Sequence, residues 1–235
     1  MSLGDDISVV MITMNEELAV GKVVSDIRHA VPDAEIVIVD SSSDQTPAIA
    51  AKLGAKVIRQ FPPQGYGRAM DLALRSASRA VIVTMDCDDT YPVDRIVPMA
   101  NMISAGNWDI VDGSRLKHKP AAMPWINYIA NRAFALLASM LFAMRLTDLH
   151  SGMRAYRRSA ISQVPYYPTG AALPVELLLL PIRLGYRVTS VFIPYSERIG
   201  VSTLQPLDSA KWTLKRILSS RFGRIQYDGL KANHT

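Results

Sequence analysis

Residues 7–115 alternate between short, almost unbroken apolar runs and segments of helical periodicity, and this alternation constrains the fold more than any other feature. The runs at 7–12, 35–40, 55–59 and 80–85 are rich in valine and isoleucine and are too short to be helices. Because they are apolar on both faces, both faces must be covered, which predicts a mostly parallel central sheet with helices on either side. The fold class expected is therefore α/β and Rossmann-like. Helix signals fill the gaps. Asn15 is placed to cap a helix running to about Ala30, with Glu16 and Glu17 in its first turn, and Thr46-Pro47 opens another. Further helices are predicted over 68–77 and 94–105, and a fifth strand ends at 108–115.

In such sheets ligands bind beyond the carboxyl ends of the strands. The polar residues expected there are Glu16, Asp40, Asp86, Asp88 and Arg115, which should line one crevice. No G-x-G-x-x-G follows the first strand and no G-x-x-x-x-G-K-[ST] occurs, which disfavours a dinucleotide oxidoreductase and excludes a P-loop. The run 81–84 leads into Asp86, Asp88 and Asp89 and then a turn at Tyr91-Pro92. Carboxylates this close raise one another's pKa or require a cation. Oxygen-only ligands suit Mg²⁺ or Mn²⁺, which complete their shells with water and phosphate oxygens. The other reading of the same acids is a helix cap or a solvated turn. Cys87 is the only cysteine, so neither a disulfide framework nor a standard zinc site is available, and its acidic neighbours disfavour a thiolate.

Of the 235 residues, 49% are hydrophobic and 20% charged, which suits a packed core. The charge is unevenly spread. Residues 1–114 hold 9 Lys/Arg and 16 Asp/Glu, whereas residues 115–235 hold 17 and 5. The second half is thus suited to face something anionic. Its basic residues are not interleaved with stacking aromatics, which disfavours nucleic acid. Asp5 and Asp6 stand where a signal peptide would be basic. Residues 124–144 are almost wholly apolar, but Asn127, Asn131 and Arg132 interrupt them early, predicting a buried or membrane-surface helix rather than a span. A dense polar turn at 147–158 returns to a strand, 174–184 is helical, and 185–194 is a turn and strand. Residues 207–225 form a basic amphipathic helix, suited to a membrane surface or to docking back on the domain.

Five short motifs in order carry a resemblance. They are Ile12-Thr13-Met14-Asn15-Glu16, Val39-Asp40-Ser41-Ser42-Ser43-Asp44-Gln45-Thr46, Asp86-Cys87-Asp88, Arg115 with Ser151-Gly152-Met153-Arg154, and Arg198 to Thr203. With them, the chain from about Ile7 to Thr203 resembles the inverting family-two glycosyltransferases of GT-A fold, and among these the dolichyl- and polyprenyl-phosphate sugar synthases. The resemblance implies a donor half, 1–115, and an acceptor half, 116–204, followed by a C-terminal basic helix and tail, 205–235. It implies that Ile12, Met14, Glu16, Ile38, Asp40, Asp86, Cys87, Asp88, Arg115 and Arg198 contact the nucleotide sugar, with Asp40 recognising base or ribose. Asp86 and Asp88 then hold Mg²⁺ or Mn²⁺. Asp88 and Arg115 are the implied catalytic residues, and Arg154, Arg198 and Ser202 the acceptor or phosphate contacts. Thr90 stands where some members carry a ligating glutamine, and Thr203 replaces a lysine.

The implied reaction moves a sugar from a GDP- or UDP-linked donor to a polyprenyl phosphate, by an enzyme attached peripherally to the cytoplasmic face of a membrane. A lipid phosphate is already an anion and needs no general base. A hydroxyl acceptor would need one, for which Glu176 is the candidate. Glu176 reads equally as the ion-pair partner of Arg183 or Arg154, and Arg154 as a structural bond to a loop carbonyl or Asp148. Asp40 reads alternatively as a cap. A nucleotide-sugar-binding protein without activity is the remaining reading, motivated by Thr90 and Thr203.

Overall fold

A computed structural model of the chain describes residues 4–200 and 206–225, with side chains of 206–209 excepted. The expected alternation is present: β1 (Ile7–Thr13), α1 (Val20–Ala30), β2 (Glu35–Asp40), α2 (Thr46–Lys52), β3 (Lys56–Arg59), α3 (Tyr66–Ser76), β4 (Val81–Thr84), α4 (Ile96–Ser104) and β5 (Ile110–Ser114). There follow α5 (Trp125–Phe142), β6 (Arg154–Arg157), α6 (Arg158–Ile161), α7 (Leu173–Arg183), β7 (Val188–Phe192) and α8 (Pro206–Phe222). The strands form one sheet in the order β3-β2-β1-β4-β6-β5-β7. Every neighbouring pair is parallel except those of β6, which runs antiparallel to both β4 and β5.

The period of two along each strand divides the core. Val9, Met11, Ile36, Ile38, Val81 and Val83 pack under α1, α2 and α4. Val10, Val37, Val39 and Ile82 pack under α3, α5, α7 and α8. Both faces are covered, which is why the runs are apolar throughout. The parallel register Thr13 to Asp40 to Arg59 sets the carboxyl ends of β1, β2 and β3 side by side.

One local expectation changes. Asn15 does not cap α1, which starts at Val20 with Ala19 at its N-cap. Asn15 instead turns the chain with φ of 60°, and its Oδ1 accepts the Ser43 N–H at 2.9 Å. Glu16 is thereby left at the crevice, outside the helix. Of the two readings of the C-terminal helix, docking back on the domain is the one α8 adopts. Ile217 is fully buried in the second core, and Arg221 Nε donates to the Leu141 carbonyl of α5 at 2.8 Å. No helix among the described residues is long and apolar enough to cross a membrane. Helix α5 does leave Trp125, Ile126, Ile129, Leu136 and Met140 exposed.

Candidate active site

β4 delivers the acidic turn between β1 and β6, at the centre of the sheet. Asp86 is half-buried, and no hydrogen bond to it is recorded among the described residues. Burial, and then the charge of Asp88, push its carboxyl up to about 7. Asp88 is buried and held: its Oδ1 accepts from Thr90 Oγ1 at 2.6 Å and from Thr90 N at 3.2 Å. Thr90 thus fixes the rotamer of Asp88. The other oxygen, Oδ2, lies 3.6 Å from Arg198 Nε. Asp89 turns away with φ of 66° and pairs with Lys22 at 2.7 Å.

The segment after β7 runs beside this turn. Ser196 N donates to the Thr90 carbonyl at 3.1 Å and Ile199 N to the Asp88 carbonyl at 2.9 Å. Arg198 is thereby set between Asp88 and Glu16, whose Oε1 accepts from Arg198 Nη2 at 2.7 Å. Burial raises the Glu16 pKa, Arg198 opposes this, and Asp88 adds to it. Arg198 Nε is buried and has no hydrogen-bond partner among the described residues.

Arg115, at the end of β5, is clamped by Asp148 through Nε at 2.7 Å and Nη2 at 3.0 Å. Its guanidinium lies 5.1 Å from the Tyr195 ring centre. Burial alone would raise the Asp148 pKa, but Arg115 outweighs it and draws the carboxyl down to about 2. Arg115 is also the leading positive influence on Asp86. The glycine of the Ser151-Gly152-Met153-Arg154 turn has a steric reason. A Cβ on Gly152 would sit 2.8 Å from both Asp86 oxygens, and Gly152 N donates to Tyr91 Oη at 2.7 Å.

Several sequence candidates are buried or already paired. Asp40 is fully buried and accepts from Thr13 Oγ1 and Ser42 Oγ, both at 2.6 Å, from Ser42 N at 3.2 Å, and from Arg59. Ile38 is enclosed in the core and offers no surface to a ligand. Cys87 is buried too, and burial followed by the surrounding acids raises its thiol pKa. Ile12 is half-buried and Met14 exposed at the crevice mouth. Arg154 is enclosed and ion-paired, but with Asp112 at 2.6 Å, because Asp148 is taken by Arg115. It also donates to the carbonyls of Leu149, at 3.0 Å, and Pro174. Burial, partly offset by Arg154, lifts the Asp112 carboxyl to about 6. Glu176 pairs with Arg216 of α8, not with Arg183 or Arg154, and accepts the Tyr167 N–H at 3.3 Å. Ser202 and Thr203 lie outside the described residues.

Sequence reasoning gave no site role to Asp148, Tyr91, Tyr195 or Arg216. Asp148 sits in the polar turn already noted at 147–158, whereas Arg216 carried no signal beyond a helix of basic composition. Among the described residues no group of three or more His, Cys, Asp or Glu could enclose a metal ion. Asp86 and Asp88 would offer a metal two hard oxygen ligands, the first without a hydrogen bond among the described residues and the second held by Thr90. That suits Mg²⁺ or Mn²⁺ completed by water and phosphate oxygens.

Comparison with known proteins bears on the family and the fold. The family model for glycosyl transferase family 2 matches residues 8–164. A dolichyl-phosphate hexose transferase of Haloferax volcanii is 44% identical over 203 residues, covering 86% of this chain and 88% of that protein. The polyprenol monophosphomannose synthase of Mycolicibacterium smegmatis is 27% identical over 215 residues, covering 83% and 80%. Glucosyl-3-phosphoglycerate synthase from Mycobacterium tuberculosis, solved with Mn²⁺, uridine diphosphate and phosphoglyceric acid, superposes with a TM-score of 0.73 at 23% identity. The superposition covers 93% of this chain and 79% of that one, and it shows the shared fold.

Proposed function

The chain belongs to glycosyl transferase family 2, and we propose that it is a metal-dependent inverting enzyme moving a sugar from a GDP- or UDP-linked donor to a polyprenyl phosphate. That it is a glycosyltransferase of GT-A fold follows from its family and its sheet. The observation carrying the finer reading is the opposition of Asp86 and Asp88 to Arg115 and Arg198 at the carboxyl end of β4.

Transfer needs a diphosphate leaving group whose developing negative charge is stabilised. Asp86 and Asp88 would hold Mg²⁺ or Mn²⁺, and the bound ion would supply Lewis-acid neutralisation of that charge. Arg198, paired with Glu16 and 3.6 Å from Asp88, would supply charge-assisted donors to a phosphate. Arg115, oriented by Asp148, keeps its charge fixed toward the site. Positive charge fixed in advance costs no reorganisation as the bond breaks.

The acceptor assignment draws support from the relatives' names and from Glu176. Its carboxylate is buried against Arg216, so it is not presented as a base for a hydroxyl acceptor. A lipid phosphate needs no base. The exposed apolar residues of α5, together with the basic second half, support peripheral contact with the cytoplasmic face of a membrane. The test is incubation with UDP- or GDP-hexose, Mn²⁺ and either polyprenyl phosphate or soluble sugar acceptors. Hexosyl phospholipid is the expected product. Transfer to soluble hydroxyls alone would sink the lipid reading, and any turnover eliminates an inactive binding protein.

A further inference from the structure

Helix α8 turns its polar residues inward. Thr213, Arg216 and Ser220 are buried beside Ile217, at the spacing of a single helix face, while Leu214, Leu218 and Phe222 are exposed. Buried polar groups need hydrogen-bond partners, so α8 is seated by specific contacts and not by apolar packing alone. Arg216 pairs with Glu176 and donates to the Tyr167 carbonyl at 3.2 Å and to Thr169 Oγ1 at 2.9 Å. The Thr213 hydroxyl lies 2.8 Å from His150 Nε2. His150 stands two residues after Asp148, the carboxylate that clamps Arg115.

Asp148 Oδ2 accepts from Arg115 N at 3.2 Å and Nε at 2.7 Å, and Oδ1 from Arg115 Nη2 at 3.0 Å. The other donor to it among the described residues is His150 N, 3.0 Å from Oδ1. Apart from Arg115 itself, His150 is therefore what orients this carboxylate. The His150 ring depends in turn on α8. Its Nδ1 is buried with no partner among the described residues, which leaves the Thr213 hydroxyl to hold the ring by hydrogen bonding. Burial, opposed by Asp148, lowers the pKa of the ring to about 4. At neutral pH the ring is thus uncharged, and it transmits position and not charge. Without the hydroxyl, neither ring nitrogen would have a partner, a cost that the turn can relieve by moving. The turn is pinned to β5 on either side of His150, by Thr147 Oγ1 donating to Ser114 Oγ at 2.8 Å and by Ser151 Oγ donating to the Gly113 carbonyl at 2.5 Å. The movement left to it is small.

We infer that Thr213 of α8 is a positioning residue for sugar transfer, holding the Arg115 guanidinium in place through His150 and Asp148. The inference rests on the glycosyl-transfer reading above. The far end of the relay lies at the site. The Arg115 guanidinium is 5.1 Å from the Tyr195 ring centre, and Tyr195 packs edge-on at 5.6 Å against Tyr91 of the acidic turn. A cation that stabilises a departing diphosphate must be in place before the bond breaks, so a guanidinium allowed to drift lowers turnover more than it lowers donor affinity. Helix α8 thereby reaches the site by way of two intervening residues, without touching it.

The experiment is steady-state hexose transfer by the full chain in Mn²⁺, from UDP- or GDP-hexose to a short-chain polyprenyl phosphate, run well below the melting temperature of every variant. Thr213→Val keeps the shape of the side chain and removes its hydroxyl. Because a displacement of about 1 Å at a reacting centre costs about 100-fold, and the pinned turn allows roughly half of that, kcat should fall about tenfold with the donor KM within about twofold. Thr213→Ser, which keeps the hydroxyl, should return kcat to within about twofold of wild type. Ser220→Ala removes a buried hydroxyl of the same helix face that has no partner among the described residues, and it should leave kcat unchanged. His150→Asn places its amide where Nδ1 stands, short of Thr213, so adding Thr213→Val to it should lower kcat no further. Wild-type kcat in Thr213→Val would overturn the inference, as would a raised donor KM at unchanged kcat. Equal losses in Thr213→Ser or Ser220→Ala would also overturn it, since the effect would then belong to helix packing. Losses that multiply in the double variant would overturn the route through His150. In each of these cases wild-type turnover leaves the transfer reading standing, whereas a wild type that transfers hexose to no acceptor would remove that reading and this inference together.

Discussion

Replacing Gly152 with alanine tests the acidic turn without touching either acid. The new Cβ would lie 2.8 Å from both Asp86 oxygens, whereas ordinary contact begins at 3.4 Å, so something must move by about 0.6 Å. The backbone is poorly placed to yield. Gly152 N donates to Tyr91 Oη at 2.7 Å, its carbonyl accepts from Thr84 Oγ1 at 2.8 Å, and Gly113 N holds the Met153 carbonyl at 3.0 Å. The Asp86 carboxylate, with no hydrogen bond recorded among the described residues, is the part free to retreat. Gly152 is not among the glycines with positive φ, so alanine brings no backbone strain. Because a misplacement of about 1 Å at a reacting centre can cost about 100-fold, a shift of roughly half that should cost about 10-fold in turnover. The Mn²⁺ concentration for half-maximal nucleotide binding should rise in parallel, with the melting temperature within a few degrees of wild type. Manganese titration followed by calorimetry and by product formation reads both quantities. Wild-type turnover with an unchanged Mn²⁺ midpoint would refute the placement of the ion on Asp86. A melting temperature lowered by more than about 10 °C would show that the loop, not the carboxylate, had given way.

Two further outcomes follow from the buried charges. Arg154→Leu should cost about 3 to 5 kcal/mol of stability by stranding Asp112, whose carboxyl already sits near 6; a stable variant with selectively weakened acceptor binding would instead place Arg154 on the acceptor. His150 is hydrogen-bonded through Nε2 to Thr213 at 2.8 Å, while its Nδ1 is buried without a partner. Burial, against the opposing pull of Asp148, lowers its pKa from 6.5 to about 4. Below 6.5 the unfolded chain takes up a proton that the folded one refuses, so this contribution is full above 6.5 and is lost as pH falls toward 4, by on the order of 3 kcal/mol. Denaturant melts at pH 7.5, 5.5 and 4.5 should show the wild type losing more stability than His150→Asn, and equal losses would refute the assignment.

Much of the molecule is legible in local pattern. The β-branched runs, the helical segments between them and the acids after β4 all depend on residues near one another in sequence. Strand and helix periodicity are local properties, and so the strands, the crevice and the Asp86-Cys87-Asp88 turn could be read directly. The family resemblance rests on the same short motifs. What could not be read is who meets whom. The reversed β6, slotted between β4 and β5, brings Arg154 to Asp112 across 42 positions and leaves Asp148 to Arg115 across 33. Docking of α8 brings Arg216 to Glu176 across 40, which removes the one carboxylate that seemed free to act as a base. It is likewise the parallel register of β2 and β3 that brings Arg59 beside Asp40 and fills its acceptor positions. Sequence alone determined the elements, and with them the row of strand ends at which chemistry can occur. The tertiary structure decided which charges there are already neutralised and which remain for a ligand. Ion pairing depends on strand order and helix docking, and neither leaves a trace in the residues adjacent to the charge.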